Sequence, residues 1–105
     1  MRRGEVWWAD LPAPIGRRPV LLLSRDEAYA VRGRVTIAPV TTTVRHLPTE
    51  VPLGPRDGLK QPSVASLDDL TTIAKGHLSD RISVLSPTKM RAVRAALIFA
   101  LALDE

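Results

Sequence analysis

The chain has 105 residues, 45% hydrophobic and 25% charged, which is ordinary globular usage and excludes a disordered segment. It has no cysteine, which rules out a disulfide framework, a thiolate zinc site and cysteine nucleophile chemistry. Fifteen basic residues against eleven acidic ones leave a net charge of +4, and twelve of the fifteen are arginine.

The charge is uneven: residues 1–60 carry ten basic and six acidic residues, and residues 61–105 carry five of each. Arginine presents a planar fork that matches phosphate oxygens in pairs, so the first half reads as a polyanion-binding face or as a solubilising one. The longest apolar run, Ala95 to Leu103, is too short to span a bilayer. The N-terminus passes from Met1-Arg2-Arg3-Gly4-Glu5 into Val6-Trp7-Trp8 without a signal-peptide core. Residues 1–105 are therefore expected to form one soluble, basic, cytoplasmic domain.

Gly4 to Asp10 reads as the first strand, closed by Leu11-Pro12-Ala13-Pro14. Trp7 and Trp8 are adjacent in it, so they point to opposite faces. Pro19 to Ser24 is a continuous apolar run of strand length, as a central buried strand would be. Asp26 to Arg32 is expected to form a turn or two of helix ended by Gly33. Arg34 to Thr41 is β-branched, with Pro39 marking a bulge or an edge. His46 to Leu53 is expected as a strand before the turn Gly54-Pro-Arg-Asp-Gly58. Ser63 to Leu67, Thr71 to Ala74 and Arg81 to Leu85 are further short strands.

Only the C-terminus reads as helix. Ser86 is a good N-cap, Pro87 falls at the first helical position, and Met90, Val93, Leu97 and Leu101 recur at helical spacing. The last part of this helix is apolar all round, so a second chain is expected to cover it. The elements together predict a mainly β fold with a C-terminal helix, as a small bent barrel or sandwich.

Few groups stand out for chemistry. His46 and His77 are either an acid–base pair or two surface histidines. Asp68-Asp69 is either a Mg²⁺ ligand pair or a polar turn, and no other residues have metal-site spacing. No glycine-rich phosphate loop is present. Arg17-Arg18-Pro19 stands at the mouth of the apolar strand, where a guanidinium can clamp a phosphate. Thr41-Thr42-Thr43 lines a second strand end with hydroxyls.

Taken in order, Arg3-Gly4-Glu5-Val6-Trp7, Asp10-Leu11-Pro12 and Arg17-Arg18-Pro19-Val-Leu-Leu-Leu-Ser24 resemble the opening of MazF/PemK-type toxins. Ala38-Pro39-Val40-Thr41-Thr42, Ser63 to Ile73, Leu78-Ser-Asp-Arg81-Ile82, Leu85-Ser86-Pro87 and the final helix continue the resemblance over nearly the whole chain. The resemblance implies an SH3-like β-barrel, a homodimer, and an endoribonuclease that cuts single-stranded RNA without a metal or other cofactor. It further implies attack of the 2′-hydroxyl on phosphorus, leaving a 2′,3′-cyclic phosphate and a 5′-hydroxyl, and neutralisation by a cognate antitoxin.

Carried over by residue, Arg18 would stabilise the phosphorane, Thr41 would hold a non-bridging oxygen, and Asp68 would join proton transfer. Arg17, Thr42, Thr43, Arg45 and Ser66 would meet the RNA, and Leu97, Ile98 and Leu101 would meet the second subunit. One departure bears on mechanism. Many relatives carry a longer loop with Glu or His before the Arg-Pro pair, whereas Pro12 to Arg17 has neither. The proton acceptor is then Asp68, Arg18 or water. A second departure, Ser66 where some relatives have Arg or Asn, bears on base preference. The alternatives are a CcdB-type poison, which shares the barrel and binds gyrase, and a plain RNA-binding barrel.

Overall fold

In the computed structural model, which describes all 105 residues, the opening strand is β1 (Glu5–Asp10). It pairs antiparallel with β2 (Arg17–Leu22) from Val6–Leu21 to Asp10–Arg17. β2 begins two residues before the apolar run, since Arg17 and Arg18 continue the ladder to the strand mouth. Val20, Leu21 and Leu22 are all fully buried, so both faces of β2 are covered. A short helix α1 (Ala28–Val31) leads to β3 (Arg34–Thr41), which pairs with β2 between Leu22–Ile37 and Val20–Pro39.

The next strand is shorter than the sequence predicts. β4 spans Glu50–Leu53 only. His46 adopts a left-handed backbone (φ 58°), and the Glu50 amide closes a turn on the Leu47 carbonyl at 3.0 Å. Pro48 in that turn has no N–H to give a ladder. Chain order then gives β5 (Ser63–Ser66), β6 (Thr71–Ala74) and β7 (Leu78–Val84), and β7 starts three residues earlier than expected. Its early start follows from pairing with β1, where Ala9 faces Leu78 and two register shifts bend the ladder.

The seven strands form one antiparallel sheet in the order β4-β5-β3-β2-β1-β7, with β6 also on β3. β5 and β6 share the same edge of β3: Val40 faces Ala65, Ile37 faces Thr71, and Ala38 and Pro39 have no partner there. Over that gap the chain makes a 3₁₀ turn, Leu67–Asp69. Pro39 thus marks an interrupted ladder, as its missing N–H predicts.

The barrel class holds, but the sheet is not closed by strand pairing, because β4 and β7 are both edges. The turn Pro55–Asp57 bridges them instead, with the Ser83 hydroxyl donating to the Asp57 carbonyl at 2.5 Å. Gly58, at φ +88°, is needed for that approach: a Cβ there would lie 2.7 Å from the Ser83 Cβ.

Helix α2 (Pro87–Ala100) has the predicted start, with the Ser86 hydroxyl accepting from the Lys89 amide at 3.1 Å and Pro87 at its first position. Val93 and Ala96 are buried against Val6, Leu21, Val40, Val51 and Leu67 in the larger core, with Met90, Leu97 and Ala100 packed at its margin. The apolar face is therefore Met90, Val93, Leu97 and Ala100; Leu101, expected on it, is 53% exposed beside Phe99 and Leu103. On the other side of the sheet a smaller core holds Ala9, Val20, Leu22, Tyr29, Val35, Ile37 and Ile73. Burial there pushes the Tyr29 phenol up to about 12. No helix is long and apolar enough to cross a membrane.

Candidate active site

Strand alternation sends Arg17 and Arg18 to opposite sides of β2, and at the end of β3 Thr41 and Thr43 fall on one side and Thr42 on the other. Two cavities result. The smaller, about 180 Å³, is lined by Arg18, Pro39, Thr41, Thr43, Arg45, Glu50, Ser66 and Asp69. The larger, about 540 Å³, has Arg17 and Thr42 in its wall with Trp8, Lys60, Gln61 and Arg81.

The small cavity brings together five of the sequence-predicted residues: Arg18, Thr41, Thr43, Arg45 and Ser66. Arg18 is half-buried, and its Nε is shut off from solvent without a hydrogen-bond partner. A buried unsatisfied guanidinium nitrogen is costly unless a ligand completes it. Although Glu50 and Asp69 share the cavity, neither forms an ion pair with Arg18. Thr41 Oγ1 accepts from the Thr43 amide at 3.1 Å, which fixes the hydroxyl and leaves its proton to donate elsewhere.

Asp68 is placed differently from the sequence expectation. It does not line the cavity; its Oδ2 accepts from the Thr49 hydroxyl at 2.6 Å, tying the 3₁₀ turn to the start of β4. A 3₁₀ turn separates successive side chains by about 120°, so neighbouring aspartates in it face different ways. Asp69 is the one that enters the cavity, with one oxygen, Oδ2, accepting from the Ser66 hydroxyl at 2.8 Å.

Glu50 was not visible as a site residue in the sequence. Its Oε1 accepts from the amides of Arg45 (3.0 Å) and Leu47 (3.2 Å) and so holds the loop carrying Arg45. The signal for it was the turn itself, with a carboxylate just after Leu47-Pro48-Thr49.

In the larger cavity Trp8 lies under the Arg17 guanidinium, 4.8 Å from ring centroid to Cζ. Arg17 is also held by Asp10 (3.0 Å), Ser79 (3.2 Å) and, more distantly, Asp80 (3.9 Å). These are exposed contacts of small net energy, so the side chain is free to exchange them for a phosphate. Trp7 points the opposite way, against the smaller core, and donates from Nε1 to Glu5 at 2.9 Å. Neither His46 nor His77 lines these two cavities, so a histidine acid–base pair is not assembled there. No group of three or more His, Cys, Asp or Glu side chains comes together as a metal cluster would.

The electrostatics of the two cavities differ. Three cations, Arg17, Lys60 and Arg81, face one carboxylate, Asp80, in the larger. Two cations face two carboxylates in the smaller. The first carries a net positive lining, and the charges of the second balance.

A seven-stranded antiparallel sheet with one C-terminal helix and a cavity that holds Arg18 and Thr41 defines a small barrel-type β protein with a candidate anion site. The family model described as PemK-like, MazF-like toxin of type II toxin–antitoxin system matches residues 2–101. The chain belongs to that family. Among curated relatives, a "Probable endoribonuclease MazF5" from Mycobacterium tuberculosis is 44% identical over 96 residues, covering 90% of this chain and 87% of the relative. "Endoribonuclease EndoA" from Bacillus subtilis is 33% identical over 111 residues, covering 98% and 96%. Among solved structures, "Mycobacterium tuberculosis toxin MazF-mt6" superposes with a TM-score of 0.89 at 40% identity, covering 96% of this chain and 99% of that one. "Endoribonuclease in complex with its cognate antitoxin from Mycobacterial species" superposes with a TM-score of 0.87 at 33% identity, covering 98% and 96%.

Proposed function

We propose that this chain is an endoribonuclease toxin that cleaves single-stranded RNA in the cytoplasm and is neutralised by a cognate antitoxin. The observation that carries this reading is Arg18: a half-buried guanidinium with an unsatisfied Nε, unpaired beside two carboxylates, in one cavity with the free hydroxyl proton of Thr41. A scissile phosphate placed there receives both. Arg18 neutralises the charge that builds on the phosphorane, and Thr41 donates to a non-bridging oxygen. The nucleophile is the RNA's own 2′-hydroxyl, so the products are a 2′,3′-cyclic phosphate and a 5′-hydroxyl. Arg45 and Thr43 extend the cavity wall, and Ser66 holds Asp69. The flanking nucleotides pass the larger cavity, where Thr42, Arg17, Lys60 and Arg81 supply donors and cations and Trp8 an aromatic face.

The relatives' names support catalysis over gyrase binding, and a plain RNA-binding barrel has no use for an unpaired guanidinium beside a fixed hydroxyl. A homodimer fits the exposed end of α2, where Phe99, Leu101 and Leu103 are 62%, 53% and 63% exposed and Ile98 is half-buried. Leu97 packs at the margin of its own core and contributes less to such an interface.

The test is single-turnover cleavage of a short fluorescent RNA in EDTA, with affinity measured separately on a 2′-deoxy analogue. Arg18→Ala is expected to lower the cleavage rate about a hundred- to a thousandfold and affinity far less. Arg18→Lys is expected to recover little, since a point charge cannot hold two phosphate oxygens. Wild-type-like cleavage by Arg18→Ala overturns the assignment.

A further inference from the structure

The loop ahead of Arg17-Arg18, Pro12 to Gly16, holds no carboxylate and no histidine, so it supplies no proton acceptor. Asp68, the acidic residue the sequence offered in its place, is bonded to Thr49 outside the cavity. Two carboxylates do line the cavity, and they are not equivalent. Glu50 is half-buried, and its Oε1 is taken by the amides of Arg45 and Leu47; it has a structural task. Asp69 is exposed and is oriented by a single donor, the hydroxyl of the buried Ser66, on Oδ2. Its Oδ1 has no protein partner.

A carboxylate beside a phosphate site opposes substrate binding by like-charge repulsion, so its presence calls for a compensating role. Asp69 pairs with no cation, and its one bond, from Ser66, spans its own turn and leaves Oδ1 free. It sits in a 3₁₀ turn placed opposite Ala38–Pro39, where the interrupted ladder lets the chain bulge toward the cavity shared with Arg18 and Thr41.

We propose that Asp69 is the general base of the cleavage, an inference that rests on the RNA-cleaving reading above. Its carboxylate takes the proton of the 2′-hydroxyl as the 2′-oxygen forms its bond to phosphorus. The bond from phosphorus to the 5′-oxygen breaks, and the leaving 5′-oxygen takes a proton from water. Protonated Asp69 then returns its proton to the resulting hydroxide, which restores the carboxylate and closes the balance. Ser66 is a positioning residue that fixes the plane of the carboxylate, and Arg18 holds the phosphorane charge.

The experiment compares wild type, Asp69→Asn, Asp68→Asn and Arg18→Ala in single-turnover cleavage of one short RNA, with affinity read on its 2′-deoxy form. Asparagine keeps an acceptor for Ser66, so Asp69→Asn is expected to fold with an unchanged melting temperature. Its cleavage rate is expected to fall about a hundred- to ten-thousandfold, the usual worth of a positioned base. Affinity for the deoxy analogue is expected to stay equal or rise, since one repulsive charge is gone. The residual rate is expected to climb in proportion to hydroxide across neutral pH, where wild type is nearly flat. Asp68→Asn is expected to cleave within a fewfold of wild type.

An RNA with sulfur in place of the leaving 5′-oxygen separates base from acid: Asp69→Asn stays slow on it if Asp69 removes the 2′-proton. Full rescue by the sulfur substrate overturns the proposal, because Asp69 would then serve the leaving group. A change of preferred base with no loss of rate at the new sequence also overturns it, because Asp69 would then read an exocyclic amino group. Near-wild-type cleavage by Asp69→Asn while Arg18→Ala is inactive defeats this proposal alone. Failure of the wild type to cleave any RNA defeats the reading beneath it.

Discussion

At the scale of single residues, most of the chemistry depends on which charged groups are already satisfied. Arg17 and Arg18 are neighbours in sequence, yet one is occupied by two aspartates, a serine and a tryptophan ring, and the other is unpaired. Only the second is left without a partner, as the proposed catalytic role requires. Glu5 shows the opposite case, a charge wholly used by the fold. Burial pushes its carboxyl up, but bonds from the Trp7 indole, the Arg2 amide and Arg81 outweigh that and hold it below the ordinary value of 4.5. A carboxyl depressed by folding adds stability that is fully present above its unfolded value and is lost as pH falls through its folded one. The wild-type melting temperature is therefore expected to drop from about pH 4.5 downward, and Glu5→Gln to flatten that limb while lowering stability near neutrality. Thermal melts across the acid range check it; parallel curves for the two proteins would contradict it.

The elements matter through where they stop. β4 starts late because Pro48 and the left-handed His46 cannot join a ladder, and that delay puts Glu50 and Arg45 at the cavity. β5 gives way to β6 through the Leu67–Asp69 turn, and that break turns Asp69 inward. The open side between β4 and β7 is held by the turn ending at Gly58, whose left-handed backbone lies against Ser83. Gly58→Ala adds both the cost of a positive φ, about 1–2 kcal/mol, and a clash with a Cβ in the neighbouring strand. A loss of more than about 2 kcal/mol in denaturant midpoint analysis is expected, with a larger loss than for Gly33→Ala, where a Cβ meets open space. Equal effects at the two positions would show that the turn does not hold the sheet edges together.

For the whole molecule, the distribution of charge and of apolar surface points outward to partners. The cations of the larger cavity predict RNA affinity that falls steeply with salt, each phosphate contact adding nearly one to the log–log slope. A slope near zero in a titration of affinity against salt would remove these residues from the RNA path. The same cations fit an antitoxin that is acidic where it covers the groove. The uncovered end of α2 predicts self-association: Phe99→Asp with Leu101→Asp is expected to shift the protein from dimer to monomer in sedimentation, with the melting temperature of the barrel core nearly unchanged. A wild-type monomer at micromolar concentration would refute the homodimer.

The sequence by itself determined the parts that depend on local chemistry. The β-branched run of β3, the apolar run of β2 and the Ser86-Pro87 start of α2 are dictated by alternation, burial and capping, which act over a few residues. The ordered motifs also sufficed to reveal the family, and the resemblance they carry pointed to Arg18 and Thr41, which the structure puts in one cavity. Tertiary structure alone decided what happens where regularity breaks. Which of Asp68 and Asp69 enters the cavity depends on how a 3₁₀ turn is rotated against β3, and adjacent identical residues carry no signal for that rotation. The role of Glu50 and the openness of the sheet were hidden for the same reason: each depends on contacts between segments distant in sequence, and their geometry is set only when the strands take their register.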